Sequence, residues 1–150
     1  MLCVYKFNFL KSAFDLNDDY ERLSDIDKEK IADMEADSFF EYEEDGNYAF
    51  FIIAEPTEVK KYTNILDENL VLYNVKDISQ DILKNNFNLE SFILPKTDTF
   101  NSLRYKFFID DLNDWIYNNL DIDTILDRIS SVGMKSLTEV EKEFLKNYNL

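Results

Sequence analysis

The chain has 150 residues, the usual size of one domain and long enough to bury a hydrophobic core. Hydrophobic residues make up 45% of it, and two glycines and two prolines are too few for a disordered chain. The formal charge of −15 opposes direct binding to nucleic acid, and the lack of histidine excludes catalytic and metal sites that need an imidazole.

Most of the negative charge lies in one segment, Asp15–Asp45, which we call the acidic segment. It contains fourteen Asp or Glu residues and three basic ones, so it carries −11 of the formal −15. A charge concentrated in this way attracts cations and basic surfaces. The segment therefore indicates the kind of partner and says nothing about a reaction.

A first strand is predicted over residues 2–10, LCVYKFNFL, because aromatic and polar positions alternate there. Cys3 lies in this run, and we expect this single cysteine to be a small buried hydrophobe without an internal disulfide. Ser24 suits the N-cap of a helix over residues 24–36 with its charges outward. The inner side of that helix is expected to comprise Leu23, Ile26, Ile31 and Met34.

A tight hairpin is predicted at Asp45-Gly46, between the strand-forming runs FFEYEE and NYAFFIIA. Pro56 suits the first turn of a helix over residues 56–69, and a strand is predicted over residues 70–75. Strand, helix, hairpin, helix and strand follow the order of the ferredoxin-like fold. The sequence therefore predicts an α+β protein with a ferredoxin-like β-α-β-β-α-β core, followed by C-terminal helices that end in a helical hairpin. Residues expected to face inward in the second helix are Val59, Tyr62, Ile65 and Leu66.

Two further helices are predicted, over residues 79–94 before Pro95 and over residues 102–120. We expect residues 1–95 to form the α+β core and residues 96–150 a helical extension packed on it as one compact unit. The inner face of the longer helix is expected to comprise Leu103, Phe107, Phe108, Leu112, Trp115, Ile116 and Leu120.

The last thirty residues predict a helical hairpin. One helix should end at Gly133, and Thr138 with Glu141 forms a capping-box pattern at the start of the next. The two helices should pack through Val140, Phe144, Leu145 and Tyr148 against Ile125, Leu126 and Ile129.

The string ILDRISSVGMKSLTEVEKEFL resembles a short tail module of unknown function found at the cytosolic end of some bacterial rhomboid-family proteases and on small bacterial proteins. The resemblance covers about thirty residues. It implies a bacterial origin and an interaction role. Because the sequence has no run of about eighteen apolar residues, we expect no membrane span, and nothing of the protease's chemistry is implied.

The candidate sites for chemistry have simpler explanations. Asp15, Asn17 and Asp19 fit the first positions of a calcium loop, but Tyr20 and Ile26 stand where that loop needs glycine and glutamate. Two glycines allow no phosphate-binding loop. Asp110, Asp111 and Asp114 fit the polar face of a surface helix, and the aromatics of RYKFF fit core packing. We therefore expect no catalytic residue, no metal and no cofactor.

The sequence favours a non-enzymatic, cytoplasmic protein whose acidic segment engages a basic protein partner, such as an inhibitor or immunity protein of a nucleic-acid-acting protein. The alternative is a structural or adaptor module that binds through Val140, Phe144 and Leu145, with the acidic segment only solvating the protein. The oligomeric state stays open. The residues predicted to bind the partner are Asp19, Glu21, Asp25, Asp27, Asp33, Glu35, Glu43 and Glu44.

Overall fold

Helices surround one antiparallel sheet in the described part of this computed structural model, which comprises residues 1–85 and 102–148. The strands are β1 (Cys3–Phe9), β2 (Ser38–Glu44), β3 (Asn47–Ala54) and β4 (Tyr73–Asp77). The helices of the first half are α1 (Ala13–Glu21), α2 (Asp25–Ala32), α3 (Pro56–Glu68) and α4 (Ser79–Asn85). Those of the second half are α5 (Leu103–Asn119), α6 (Ile122–Val132) and α7 (Glu139–Asn147), with a 3₁₀ turn at Met134–Ser136.

The order of the strands across the sheet is β2-β3-β1-β4, and every neighbouring pair is antiparallel. Strand β1 therefore runs parallel to β2 with β3 between them, and β3 runs parallel to β4 with β1 between them. These are two interlocked split βαβ units, the arrangement of a ferredoxin-like fold. The predicted α+β class and core order are confirmed.

The hairpin between β2 and β3 turns at Asp45 and Gly46. Their φ angles are +54° and +77°, and the ladder closes with Glu44 opposite Asn47. Two successive residues with positive φ define the turn type whose twist matches that of the flanking strands. The predicted hairpin is therefore correct in position and in chemistry.

Helices cover both faces of the sheet, which explains the continuous apolar run in β3. The residues of this strand alternate between the two faces, and those from Ala49 to Ala54 are all buried. A strand covered on both sides does not need polar positions at every second residue. The face beneath α3, called the α3 face, includes Phe7, Phe9, Phe50 and Ile52. The face beneath α5, called the α5 face, includes Val4, Phe40, Phe51 and Ile53.

Helix α5 connects the C-terminal part of the chain to the sheet. Phe108, Leu112 and Trp115 are buried against the α5 face. The indole N–H of Trp115 also donates a hydrogen bond to the carbonyl of Leu2 at 2.9 Å. The expected division at residues 95 and 96 lies outside the described residues and stays a prediction.

The structure shortens the helix predicted over residues 24–36. Only α2 lies in that range, capped by the hydroxyl of Ser24 as predicted, and a further helix that was not predicted, α1, precedes it and is capped by the hydroxyl of Ser12. Both are described in full and contain no buried residue, and Ile26 is 66% exposed rather than inward. Helix α2 ends at Ala32, and the chain then reaches β2; just before that strand, the N–H of Asp37 donates a hydrogen bond to the carbonyl of Ile53.

Other expectations were wrong at the ends of elements. Strand β4 begins at Tyr73 rather than at residue 70, because Leu70 adopts a φ of +58° and reverses the chain after α3. Cys3 is half-buried rather than buried.

Some apolar residues that were expected to face inward are exposed. In α5 the buried positions are three and four residues apart, which leaves Leu103 and Phe107 on the exposed flank. Tyr148 and Leu126 of the tail are also exposed. Residues 86–94 and Pro95 lie outside the described residues.

Neighbouring phenylalanines of α5 test how this helix packs. Phe108 is 1% exposed and Phe107 is 64% exposed. We expect Phe108→Ala to lower the free energy of unfolding by about 3–5 kcal/mol. Phe107→Ala, the matched control, should change it by less than about 1 kcal/mol. Urea denaturation measures both, and equal losses would contradict the packing of α5 on the sheet.

Candidate functional site

Most exposed carboxylates of the acidic segment form a band on the side of the sheet covered by α1 and α2, whereas Asp37 lies beside Asp111 and Trp115 of α5. The segment is described in full, and eleven of its fourteen carboxylate residues are exposed. The exposed residues predicted to bind a partner are Glu21, Asp25, Asp33, Glu35 and Glu43.

Two of the remaining predicted residues are half-buried and form contacts within the protein. The carboxylate of Asp19 lies 2.5 Å from the ammonium of Lys11, which precedes α1. The carboxylate of Asp27 accepts a hydrogen bond from the amide of Asn69 at 3.2 Å, which links α2 to the end of α3. These contacts stabilise the positions of the two acidic helices, so both carboxylates have a structural role in addition to their charge.

Glu44 lies on the other face of the sheet. Side chains alternate along β2, so Glu41 and Glu43 share the α3 face with the acidic helices, while Glu44 points to the α5 face. There its carboxylate lies 3.3 Å from the ammonium of Lys6 in a largely buried ion pair. The structure therefore does not bring Glu44 together with the other predicted residues.

The acidic band is elongated. Glu35 lies just before β2 begins, and Glu43 lies beside the hairpin at its far end. A strand of seven residues spans about 20 Å. A partner that contacts the whole band must therefore present basic groups along a comparable length.

A cavity of about 290 Å³ lies between α1, α2 and the α3 face. The two acidic helices that cover it contain no fully buried residue, although Leu16 of α1 packs against the apolar residues of the α3 face. Its lining is largely apolar and includes Leu16, Leu23, Ile31, Leu66 and Val71. Tyr48 and Tyr62 also line it, and among the exposed residues at its rim are Asn17, Tyr20 and Glu41.

Two tyrosines of the cavity, Tyr48 and Tyr62, have raised pKa values. Burial raises the pKa of Tyr48, and so does the hydrogen bond that its hydroxyl donates to Glu41 at 2.7 Å. Burial alone raises the pKa of Tyr62. Both rings also pack on Phe50, which fixes them in the α3 face. The cavity thus combines aromatic walls with a carboxylate, that of Glu41, which a hydrogen bond orients.

The acidic residues of α5 form a structural contact or are exposed to solvent. Within residues 1–85 and 102–148, no group of three or more His, Cys, Asp or Glu side chains could hold a metal ion. Asp111 accepts a hydrogen bond from the hydroxyl of Ser38 at 2.7 Å, which links α5 to β2. Asp110 and Asp114 are exposed on α5.

No helix within residues 1–85 and 102–148 has the length and apolar character needed to cross a lipid bilayer.

The tail hairpin of α6 and α7 is held by a buried ion pair. The guanidinium of Arg128 lies 2.6 Å from the carboxylate of Glu141, whose side chain is 3% exposed. The other oxygen of Glu141 accepts hydrogen bonds from the N–H and hydroxyl of Thr138, which completes the predicted capping box. The helix before it ends at Gly133 with a φ of +83°, also as predicted.

The residues predicted to bind through the tail are half-buried in the fold. The ring of Phe144 meets the ring of Tyr117 edge-on at 5.8 Å, so α7 packs against the end of α5. Val140 and Leu145 are half-buried as well. Exposed apolar surface on the hairpin is instead provided by Leu126 and Met134.

Residues 117–149 match the model of a family described as a family of unknown function, DUF6576. The match confirms that the C-terminal end is a short module of unknown function. It begins at Tyr117, the residue on which Phe144 packs, and so it covers the end of α5 together with the hairpin. No curated protein matches the chain, and no solved structure does.

Sequence patterns missed two features of these sites. The contact of Arg128 with Glu141 joins residues thirteen positions apart across a turn, beyond the reach of any helical spacing rule. The cavity depends on helix α1, which was not predicted. The signal for α1 was present, because Ser12 and Asp15 have the spacing of a helix start.

Glu141→Gln tests the ion pair of the tail. The variant keeps the side-chain volume and removes the negative charge opposite Arg128. We expect the free energy of unfolding to fall by about 2–3 kcal/mol, less than the roughly 3–5 kcal/mol for a fully buried pair. The control is Glu139→Gln, because Glu139 is 91% exposed in the same helix. Similar small losses in both variants would show that the buried pair does not hold the hairpin.

The tyrosines predict loss of stability at alkaline pH. Burial, with smaller contributions from Cys3 and Asp77, raises the pKa of Tyr5 to about 12, and the pKa values of Tyr48 and Tyr62 are raised too. Because the unfolded value is about 10, the stabilisation is complete below about pH 10 and is lost as the pH rises through the folded values. Urea denaturation at increasing pH should show this fall.

Tyrosinate absorbance provides the check on that expectation. Folded protein should ionise fewer tyrosines near pH 11 than urea-unfolded protein at the same pH, because the unfolded value is about 10. Tyr62→Phe should make the loss of stability with pH less steep. Identical titration curves for folded and unfolded protein would contradict the raised pKa values of these tyrosines.

Proposed function

We propose that this protein is a non-enzymatic interaction protein that binds a basic protein surface through the acidic band. The main support is the exposure of eleven carboxylate residues on and between α1, α2 and the hairpin, with three basic residues among them. One of these, Lys28, lies 3.8 Å from Glu21, so most of the negative charge is available to a partner.

A protein that acts on nucleic acid is the partner class that best fits this charge. Such proteins carry surfaces that bind the regularly spaced negative charges of phosphate backbones. An elongated band of carboxylates can occupy that surface and block it. We therefore propose an inhibitor or immunity role in the cytoplasm, where a half-buried single cysteine needs no disulfide partner.

Binding through the band should be electrostatic in its kinetics and its salt dependence. Complementary charge accelerates association, and added salt screens exposed charges over a distance of about 10 Å at 0.1 M. The expected behaviour is fast association at low salt and a steep loss of affinity as salt increases.

The test compares two variants of equal charge. The band variant changes Glu21, Asp25, Asp33 and Glu35 to their amides, and these four residues are all exposed. The control variant changes Asp110, Asp114, Asp123 and Asp127, also exposed, to Asn. Both alter the formal charge from −15 to −11. Partners captured from host lysate at low salt should be lost with the band variant and kept with the control.

Unchanged capture by the band variant would exclude the acidic band as the binding surface. Equal loss with both variants would show that net charge, rather than a site, attracts the partner. Once a partner is identified, its dissociation constant should increase about tenfold or more for the band variant, since the loss of several charge contacts exceeds about 1.4 kcal/mol.

A second candidate is an adaptor that binds through the tail hairpin. The match of residues 117–149 to a family model favours it, because the hairpin then occurs as a unit in other proteins. The resemblance to rhomboid-protease tails also implies an interaction role. The exposed apolar residues Leu126 and Met134 are the contacts to test. Binding lost in Leu126→Ser with Met134→Ser, and insensitive to salt, would favour this candidate over the acidic band.

A further inference from the structure

We propose that the cavity beneath α1 and α2 receives an arginine side chain of the basic partner and so forms the anchor point of the acidic band. The inference rests on the proposed function, because it assigns one contact of that same surface. Interfaces commonly depend on a few residues that insert into well-packed pockets, surrounded by contacts of low energy. The cavity lies within the band, between the two helices that carry much of its charge.

The size of the cavity suits a single long side chain. Its volume of about 290 Å³ lies at the lower limit of the range of about 300–1,000 Å³ typical of small-molecule sites. The lining is largely apolar, as the aliphatic stem of a long basic side chain requires. Leu16 and Leu66 are part of that apolar lining. The rim is polar, with Asn17 and Glu41 exposed to solvent.

Glu41 supplies the charge that selects a cation. The hydroxyl of Tyr48 holds one of its oxygens at 2.7 Å and so orients the carboxylate. Its other oxygen lies 3.6 Å from the guanidinium of Arg104, which is 81% exposed. An arginine of the partner can replace this long, solvated contact. The second carboxylate of the cavity, Asp19, is already engaged by Lys11.

The aromatic residues favour a guanidinium over an ammonium. The planar guanidinium stacks on aromatic faces and is more weakly hydrated than an ammonium, so it loses less on entering a largely apolar site. Three tyrosines line the cavity, Tyr20, Tyr48 and Tyr62. The protein already places a cation on one of them, because the ammonium of Lys28 lies 5.9 Å from the ring centre of Tyr20.

The test uses N-acetyl-arginine amide as the probe and the citrulline analogue, which has the same shape without the charge, as its control. Amide chemical shifts of isotope-labelled protein are followed during titration at physiological salt. The arginine probe should shift signals from α1, α2 and the residues around Tyr48, with a dissociation constant on the order of millimolar. The citrulline probe should shift them little, and the lysine analogue should bind more weakly.

Two variants locate the site. Asn17→Trp places a bulky neutral side chain at the rim and should abolish the shifts. The control is Asn118→Trp, because Asn118 is exposed on α5 and does not line the cavity, and this variant should leave the shifts unchanged. Glu41→Gln should weaken binding about tenfold, since a hydrogen bond between two charged groups is lost. It provides an independent test if Asn17→Trp does not fold.

The outcomes separate this inference from the proposed function. Arginine-specific shifts that Asn17→Trp and Glu41→Gln remove support the anchor site. Scattered shifts, or equal shifts with citrulline, overturn it. The four residues of the band variant do not line the cavity, so loss of partner with that variant and no effect of Asn17→Trp on the same partner would refute the anchor and retain the acidic surface.

Discussion

The structure depends on the burial of β3 from both sides. This strand contributes Phe50 and Ile52 to one face of the sheet and Phe51 and Ile53 to the other, so both faces must be covered by other elements. Each buried aromatic or aliphatic side chain contributes roughly 1.5–3 kcal/mol when it leaves solvent. Two helical layers are therefore needed, and the chain supplies α3 with the acidic helices on one side and α4 with α5 on the other.

The two layers are not equivalent. Helix α5 packs closely on its face and is fixed by the hydrogen bond from Trp115 to Leu2. The acidic helices contain no fully buried residue and are held by the apolar contact of Leu16 and by polar contacts, among them Asp19 with Lys11 and Asp27 with Asn69. Their charged residues remain solvated, because burial of an unpaired charge is costly. The acidic band is therefore exposed, and the cavity lies beneath it.

Local signals predicted much of the fold. The hairpin at Asp45-Gly46, the start of α3 at Pro56 and the capping box of α7 depend on residues close in sequence, and each occurs as expected. Failures came where distant packing overrides local pattern. Leu70 continues an apolar run in the sequence, yet it turns the chain and is exposed. Phe107 and Phe108 are equally apolar, and only contact with the sheet distinguishes them.

For the candidate site, the sequence by itself determined the amount of charge, its concentration between residues 15 and 45, and the absence of histidine chemistry, because these are properties of composition. Only the tertiary structure decided which carboxylates share a surface. It turned Glu44 to the opposite face, engaged Asp19 and Asp27 internally and placed Glu41 beside Tyr48 at a cavity. Side-chain direction and cavities arise from contacts between elements distant in sequence, which no local pattern encodes.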